Sequence, residues 1–356
     1  MFASTRENHG KYTLMSYIKR GWELCSPKSF ISFRKGYDFI ESAPGVFRML
    51  LDYYVCLVRY GATASDYFEY EFWKKRHCER KTYVTMLYSR KIQSIFNKGD
   101  IELFLDKEKF NKAYSKYRTI RNFSFTAGGG INEFHRFCKE CNYRILMKPC
   151  LGASGIGIYK PDISSEEKIE ALYKEMKGTD KYFAEQMFIQ TGSLHEVNPD
   201  AVNTIRIFTL FDGEKVNIMY TGVRFGGGNS IVDNIHSGGM VCEIDPDTGK
   251  VVGPGYNLKN YRFVRHPRTK VFLPGLQVPR WQEVKRVVLE AAMLNPSIGH
   301  CAWDVAVSEE MVSLIEANDQ GNFDLIQSAS QRGCKPDYDR IIKKIKCNEQ
   351  TESVID

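Results

Sequence analysis

Apolar positions along the chain change their period near residue 100. Before that point they recur at helical spacing, with few glycines and with Pro27 and Pro44 as breaks, so residues 1–100 are predicted to be helical. The strongest stretch, "VFRMLLDYYVCLVRYGA", is interrupted by Arg48, Asp52 and Arg59. A membrane span needs roughly 18–20 apolar residues in a row, so it does not qualify. Beyond residue 100, helical and strand periods mix. "IELFLDKEKFNKAYSKYR" (101–118) reads as a loop and a helix, and "INEFHRFCKECN" (131–142) as a helix. "YRILMKP" is a strand ending at proline, and "CLGASGIGIYK" (150–160) is a glycine-rich hairpin. A helix capped by serine and stopped by glycine covers 164–178, and "KYFAEQMFIQ" follows as a strand. "NTIRIFTLF", "EKVNIMYTGVRF" and "GGMVCEID" read as strands, 280–294 as a helix, and "CAWDVAV" with "MVSLIEAN" as paired strands. One basic helix follows Pro336. The pattern predicts an α+β fold with antiparallel hairpins, without the regular strand–helix alternation of a doubly wound nucleotide fold.

This pattern divides the chain into four parts: a helical region 1–100, an α+β part 101–190 carrying the glycine loop, a second α+β part 191–330, and a terminal helix and tail 331–356. At 356 residues, two or three lobes are expected. A composition of 43% hydrophobic and 26% charged residues is ordinary for a soluble globular protein. "MFASTRENHGKY" lacks the basic-then-apolar pattern of a signal peptide, so a cytoplasmic location is expected. The ten cysteines then read as free buried thiols. The C-x-x-C of Cys138 and Cys141 has no second pair or histidine at zinc-ligand spacing.

Charge adds a location. Residues 1–100 hold 17 Lys and Arg against 10 Asp and Glu, which is the whole of the +7 excess. A basic, aromatic front end suits a phosphate-rich partner or the inner face of an anionic membrane, and equally a solvated helical face. No nucleic-acid-binding fingerprint is present, and no nucleic-acid partner is expected.

Candidate chemistry sits in three places. "GASGIGI" contains G-x-x-x-x-G, but Ile158 stands where a P-loop needs its lysine, and a strand follows in place of a helix. The lysine comes earlier, as Lys148 in "LMKP". A strand lysine beside a glycine hairpin suits phosphates, with the ammonium as a point charge and loop N–H groups capping oxygens. A tight turn beside an exposed lysine fits equally. In "AWDVAV", Ala302, Asp304 and Ala306 share one face, opposite bulky Trp303, Val305 and Val307. In "MVSLIEAN", Glu316 and Asn318 share a side, roughly 7 Å apart at the backbone. Either the strand emerges into solvent there, or these oxygens converge with Asp304 on a hard cation. Convergence requires an odd-length turn between the strands. In "SIVDNIHSGG", Asp233, Asn234, His236, Ser237 and Gly238 form a polar loop open to a ligand, or a tight turn. His266 in "RHPRTK" belongs to a basic turn that suits an anionic ligand or plain solvent.

Taken together, the strand Lys-Pro before a glycine hairpin, the glutamate-bearing strand "YFAEQMF", the late D…E-x-N pair and the upstream "DKEKF" resemble the ATP-grasp superfamily. "EQMFIQTGSLHEVNPDAVNTIRIFTL", "GVRFGGGNSIVDNIHSGG", "HPRT" and "WDVAV" narrow this to the sugar-transfer-associated ATP-grasp family, over roughly residues 60–325. The resemblance implies two α+β subdomains clamping ATP. It implies that Lys107 and Lys148 bind ATP phosphates, with Ser154, Gly155 and Gly157 in a mobile lid. Glu185 and the backbone of Gln186, Met187 and Phe188 would contact adenine, and Asp304, Glu316 and Asn318 would bind Mg²⁺. One departure stands out: Ala302 and Trp303 occupy the stretch where many ATP-grasp ligases carry an arginine. Arg206 and Arg224 are the candidates to replace its charge, and His236 is a candidate base.

The implied activity is ATP- and Mg²⁺-dependent joining of a carboxylate to an amine through an acyl phosphate, on a carboxylated sugar of a surface polysaccharide. The competing readings are a kinase acting on a sugar or lipid hydroxyl, and a nucleotide-binding partner of a glycosyltransferase complex docking through the basic front end.

Overall fold

Of the chain, the computed structural model describes residues 26–35, 45–127, 129–152, 155–227, 233, 235, 238–257, 259, 261–321 and 323–352. It begins with helices α1 (Pro27–Lys35), α2 (Val46–Tyr60), α3 (Ala64–Glu69), α4 (His77–Arg80) and α5 (Met86–Phe96). Met49, Tyr53 and Cys56 of α2 recur at i, i+4 and i+7 and face a core of aromatic rings, among them Phe30, Tyr67, Phe68 and Phe72. Thr63 and Asp66 cap α3 reciprocally: Asp66 Oδ2 accepts from the Thr63 N–H at 2.7 Å, and Thr63 Oγ1 accepts from the Asp66 N–H at 3.3 Å. Among the described residues no helix is long and apolar enough to cross a membrane.

Next come α6 (Glu102–Leu105), α7 (Lys107–Ala113) and a three-stranded antiparallel sheet. Its strands are β1 (Asn122–Ser124), β2 (Ile145–Pro149) and β3 (Tyr182–Gln186), in the order β1-β3-β2. Helices α8 (Ile131–Glu140) and α9 (Glu166–Met176) supply Phe134, Phe137, Ile169 and Tyr173 to a core with Phe123, Ile145 and Met147. Cys138 and Cys141 are free thiols in that core. Cys78 and Cys347, expected to be buried, are exposed.

After α10 (Ser193–Val197) the chain builds a seven-stranded antiparallel sheet. Its strands are β4 (Ile205–Phe211), β5 (Val216–Phe225), β6 (Met240–Glu243), β7 (Gly255–Tyr256), β8 (Arg262–Phe263), β9 (His300–Val307) and β10 (Val312–Asn318). The spatial order is β10-β9-β4-β5-β6-β7-β8. Helix α11 (Trp281–Met293) covers one face, where Val284 and Val288 join a core with Ile205, Val223, Trp303 and Val305. On the other face α5, α12 (Phe323–Ser330) and α13 (Lys335–Glu352) pack on Phe208, Leu210 and Ala302. Strand β9 is therefore buried along its whole length, so a carboxylate on it must be paired to stay charged. The α+β class read from the sequence is the one observed.

His300 opens β9 inside that second layer. Its ring stacks on Phe323, with centroids 5.3 Å apart, and its Nε2 lies 3.1 Å from the Tyr338 hydroxyl. Burial pushes its pKa down from 6.5 to about 3. The unfolded chain therefore binds a proton below pH 6.5 that the folded chain refuses. Stability is full above 6.5 and falls as pH drops toward 3, by about 1.4 kcal/mol per pH unit. Urea midpoints between pH 7 and 5 should show this slope in the native chain and a shallower one in His300→Phe. An identical slope in both would show that the ring is not held neutral.

Candidate functional site

A cavity of about 360 Å³ lies between the three-stranded sheet and the β10-β9-β4-β5 end of the large one. That volume is within the range of small-molecule sites. One end is apolar. Leu146 of β2, Met187 and Phe188 after β3, and Ile315 of β10 line it, with Ile120 and Val202 beside them. Ala306, one of the small residues beside Asp304, packs against Ile120 and Phe188. Side chains from both sheets therefore contribute to this apolar end.

The chain leaving β3 supplies the polar edge of that end. The Gln186 N–H donates to the Arg121 carbonyl at 2.8 Å, and the Met187 N–H donates to the Arg144 carbonyl at 2.8 Å. Both amides are thus spent on holding the connector. The Phe188 N–H donates to nothing among the described residues, so it is the amide left for a ligand. Glu185, at the end of β3, also lines the cavity. It is buried in an ion pair with Lys148 Nζ, and Arg118 Nη2 lies 2.6 Å from its Oε2. Burial raises the Glu185 pKa, but Lys148 and Arg118 outweigh it and hold the carboxyl below its usual range. In this structure it holds Lys148 in place while lining the cavity beside Gln186.

The other end is charged. Asp106 caps α7, accepting from the N–H groups of Glu108 (2.9 Å) and Lys109 (3.1 Å), and so sets Lys107 at the helix start. The Lys107 N–H donates to the Cys150 carbonyl at 2.9 Å, and Nζ donates to the Gly152 carbonyl at 2.6 Å. The first lysine is thereby tied to the glycine hairpin that follows the second. Within the hairpin Gly155 and Gly157 have φ of 73° and 79°. A Cβ on Gly157 would meet Pro149 Cγ at 2.9 Å, so no other residue fits there without a shift. Ser154 lies outside the described residues.

The acidic pair reaches the same cavity by an unexpected route. Val307 pairs with Val312 across a four-residue turn, so the odd-length condition fails. On that register Asp304 would face Ile315. A β-bulge between Leu314 and Glu316 adds one residue to β10, and Asp304 faces Glu316 while Ala302 faces Asn318. Arg118 holds this bulge, donating through Nη1 to the carbonyls of Leu314 (2.8 Å) and Ile315 (2.9 Å). Nothing in the sequence pointed to Arg118, because its partners stand 67, 196 and 197 positions away.

Arg206 extends the row. It pairs with Asp304 across β4 and β9, and Asp304 pairs with Glu316 across β9 and β10. Arg206 Nε lies 2.5 Å from Asp304 Oδ1, and its Nη2 lies 2.9 Å from Oδ2. Arg224 adds a second cation, with Nη2 3.0 Å from Oδ2. Burial pushes Asp304 up to about 6. Arg206 and Arg224 pull against that, while Glu316 and Asp233 add to it. Burial also raises Glu316, but Lys107, Arg206 and Arg224 outweigh it and hold this carboxyl down at about 2. Asn318 Nδ2 lies 3.4 Å from Glu316 Oε1.

Two carboxylates and a carboxamide are the hard oxygen donors that Mg²⁺ accepts, with phosphate oxygens completing its shell. The charges agree. With Arg118 and Arg206, which pair with its carboxylates, the cavity holds six cations (Lys107, Lys148, Lys160, Arg118, Arg206, Arg224) against five carboxylates (Glu185, Asp200, Asp233, Asp304, Glu316). A triphosphate brings more negative charge than this small excess, so a divalent cation fits this site.

The polar loop is placed less simply. Asp233 Oδ2 accepts from Thr204 N–H (2.8 Å) and Oγ1 (2.5 Å), and lies 3.5 Å from Arg224 Nε. It lines the cavity, but its oxygens orient Thr204 and Arg224. Gly238 is exposed and lies against Gly227, where a Cβ would strike the Gly238 carbonyl at 2.1 Å, so the two glycines close the neck of the loop. Asn234, His236 and Ser237 lie outside the described residues. His266, expected to face an anionic ligand or solvent, is fully buried and is not among the residues lining the cavity. Its Nε2 lies 2.9 Å from the Gly226 carbonyl and its Nδ1 lies 3.1 Å from Thr269 Oγ1, so both nitrogens are engaged in holding the loop base. It is a structural histidine.

Comparison with known proteins adds the family. The family described as sugar-transfer associated ATP-grasp matches residues 92–343. No curated protein matches significantly. Solved structures that resemble the chain include the D-alanine-D-alanine ligase from Coxiella burnetii, at 10% identity and TM-score 0.40, over 71% of this chain and 60% of that one. An N5-carboxyaminoimidazole synthase from Aspergillus clavatus in complex with ADP matches at 12% and 0.38, over 62% and 45%. An ATP-grasp ligase, PsnB, matches at 14% and 0.40, over 70% and 62%. The chain spans less than two thirds of the length of each of these. The family match itself extends across most of the chain, from α5 into α13. By that match the chain belongs to the sugar-transfer associated ATP-grasp family.

Proposed function

We propose that the protein is an ATP-dependent carboxylate–amine ligase that activates a carboxylated sugar, or a similar acid, as its acyl phosphate. One observation carries this reading. Lys107 and Lys148 from the small-sheet side and Asp304, Glu316 and Arg224 from the large sheet line the same cavity, although they are up to about two hundred residues apart.

A base in the apolar end would meet the Phe188 N–H, and the phosphates would then run toward Lys107 and Lys148. When bound, Mg²⁺ held by Asp304, Glu316 and Asn318 supplies charge neutralisation to the phosphate oxygens. The chain's own part is positioning. Arg206 and Arg224 orient Asp304 and bring positive charge to the side where the γ-phosphoryl group is transferred. They are the residues that would supply the charge of the arginine missing from β9. A carboxylate attacking that phosphorus breaks the bond to the ADP oxygen and forms the acyl phosphate. An amine then attacks the acyl carbon and releases phosphate. The glycine hairpin, tethered through Gly152 to Lys107, is the element that would close over an intermediate sensitive to water.

Hydroxylamine tests the proposal. With ATP, Mg²⁺ and a panel of sugar acids, the ligase reading expects a hydroxamate formed in step with ADP. A stable phosphate ester on a hydroxyl, with no hydroxamate, would replace it with the kinase reading.

A further inference from the structure

Helix α2 has a second face that the aromatic core does not use. While Met49, Tyr53 and Cys56 point inward, Phe47, Leu51, Val55 and Val58 point to solvent, and Phe47 and Val58 are 74% and 87% exposed. At the helical pitch these four lie within about 80° of one another, and Arg48 and Arg59 follow on one flank. Leu87, also exposed, prolongs the apolar edge past the helix end, 2.8 Å from where a Cβ on Gly61 would sit. Next to it opens a second cavity, of about 240 Å³, lined by Arg59, His77, Arg80, Lys81 and Lys335. Arg80 is neutralised there by Asp52, at 2.7 and 3.0 Å, and Tyr88 donates its hydroxyl to Asp339. Arg59, Lys81 and Lys335 form no ion pair among the described residues. The Lys335 ammonium lies over the Tyr88 ring, 4.6 Å from its centre.

We propose that this surface seats the protein on an anionic lipid bilayer. The α2 edge lies among the upper acyl chains, and the cavity of Arg59, Lys81 and Lys335 receives a phosphate headgroup. An apolar edge one helix long, with Arg48 and Arg59 along one flank and the basic cavity beside its end, matches the layering of a bilayer. The opposite side of α2 is held in the aromatic core, so the helix lies along the surface. A second copy is a poorer occupant, since a two-fold contact along α2 sets Arg48 of one chain near Arg59 of the other. The inference stands apart from the ATP chemistry.

Vesicle co-sedimentation of the full chain tests it, using phosphatidylcholine alone and with about 30% phosphatidylglycerol. Binding to the anionic vesicles should exceed binding to the neutral ones by about ten-fold or more and vanish near 500 mM salt. Leu51→Glu/Val58→Glu and, separately, Lys81→Glu/Lys335→Glu should each weaken it by about ten-fold or more. Both variants should keep the wild-type thermal shift with ATP, and Val58→Glu alone serves if the first double variant does not fold. Three results would overturn the proposal: no binding to anionic vesicles at low salt, a native dimer that Leu51→Glu dissociates, or uptake of inorganic pyrophosphate without vesicle binding.

Discussion

Replacing Lys148 with methionine is expected to slow ATP turnover by about 10²–10³-fold, the usual loss when one fixed charge aimed at a reacting phosphate is removed. Strand β2 fixes the lysine through its pairing with β3, where Lys148 stands opposite Phe183. Its ammonium then reaches Glu185, which is buried and has Arg118 on its other side. Without a nucleotide, Glu185 is the counter-ion that keeps the ammonium in the cavity. A phosphate arriving there shares a cation already in place, so little reorganisation is left for the transfer step. Methionine keeps the length and loses the charge. Arg118 continues to neutralise Glu185, so circular dichroism and thermal unfolding should stay close to those of the native chain. Lys148→Arg, which keeps the charge in another shape, should recover part of the rate. ADP release measured across an ATP series separates binding from chemistry. If kcat and KM for ATP both stay within about two-fold, Lys148 does not act on the phosphates.

Lys148 was legible in the sequence because everything that defines it is local: an apolar strand, a proline, then glycines. The same holds for β4, β5, β9 and α9, whose periods or caps lie within their own residues. Helix α12 was missed because it is eight residues long and its buried side includes the polar Gln327 and Ser328. Strand β1 is three residues long, too short for any period. The acidic row shows a different limit. Side-chain parity predicts that Glu316 and Asn318 share a face, but it cannot predict where the paired strand stands. The four-residue turn gives the wrong parity, and the bulge restores it. His266 was misread because a polar loop looks the same whether its ring is buried or wet. Its partner, the Gly226 carbonyl, is 40 positions away.

Arg118 has the largest consequence among the residues that the sequence left silent, and Arg118→Ala should weaken both the fold and the metal dependence. Its side chain is 2% exposed and makes three contacts: Glu185 Oε2 and the carbonyls of Leu314 and Ile315. Alanine strands both carbonyls in the interior, at about 1–3 kcal/mol each. It also leaves Glu185 with Lys148 as its remaining partner. A total loss of about 2–6 kcal/mol is expected, the sum of the two stranded carbonyls. The functional effect follows from the bulge. Without its cap, β10 can relax toward the unbulged register, which sets Ile315 opposite Asp304 and turns Glu316 to the other face. The Mg²⁺ concentration needed for half-maximal turnover should therefore rise by about 10–100-fold, the cost typical of losing a residue that orients a metal ligand. Arg118→Lys can reach Glu185 or a carbonyl but cannot fork across both carbonyls, so it should fall between the two. Urea midpoints and Mg²⁺ titrations, with Mn²⁺ as a second metal, measure the two effects separately. If Arg118→Ala loses stability but keeps the native metal dependence, Arg118 only holds the two sheets together. If the metal dependence moves in Arg118→Lys as well, while its midpoint stays near native, the guanidinium sets the register that makes the site.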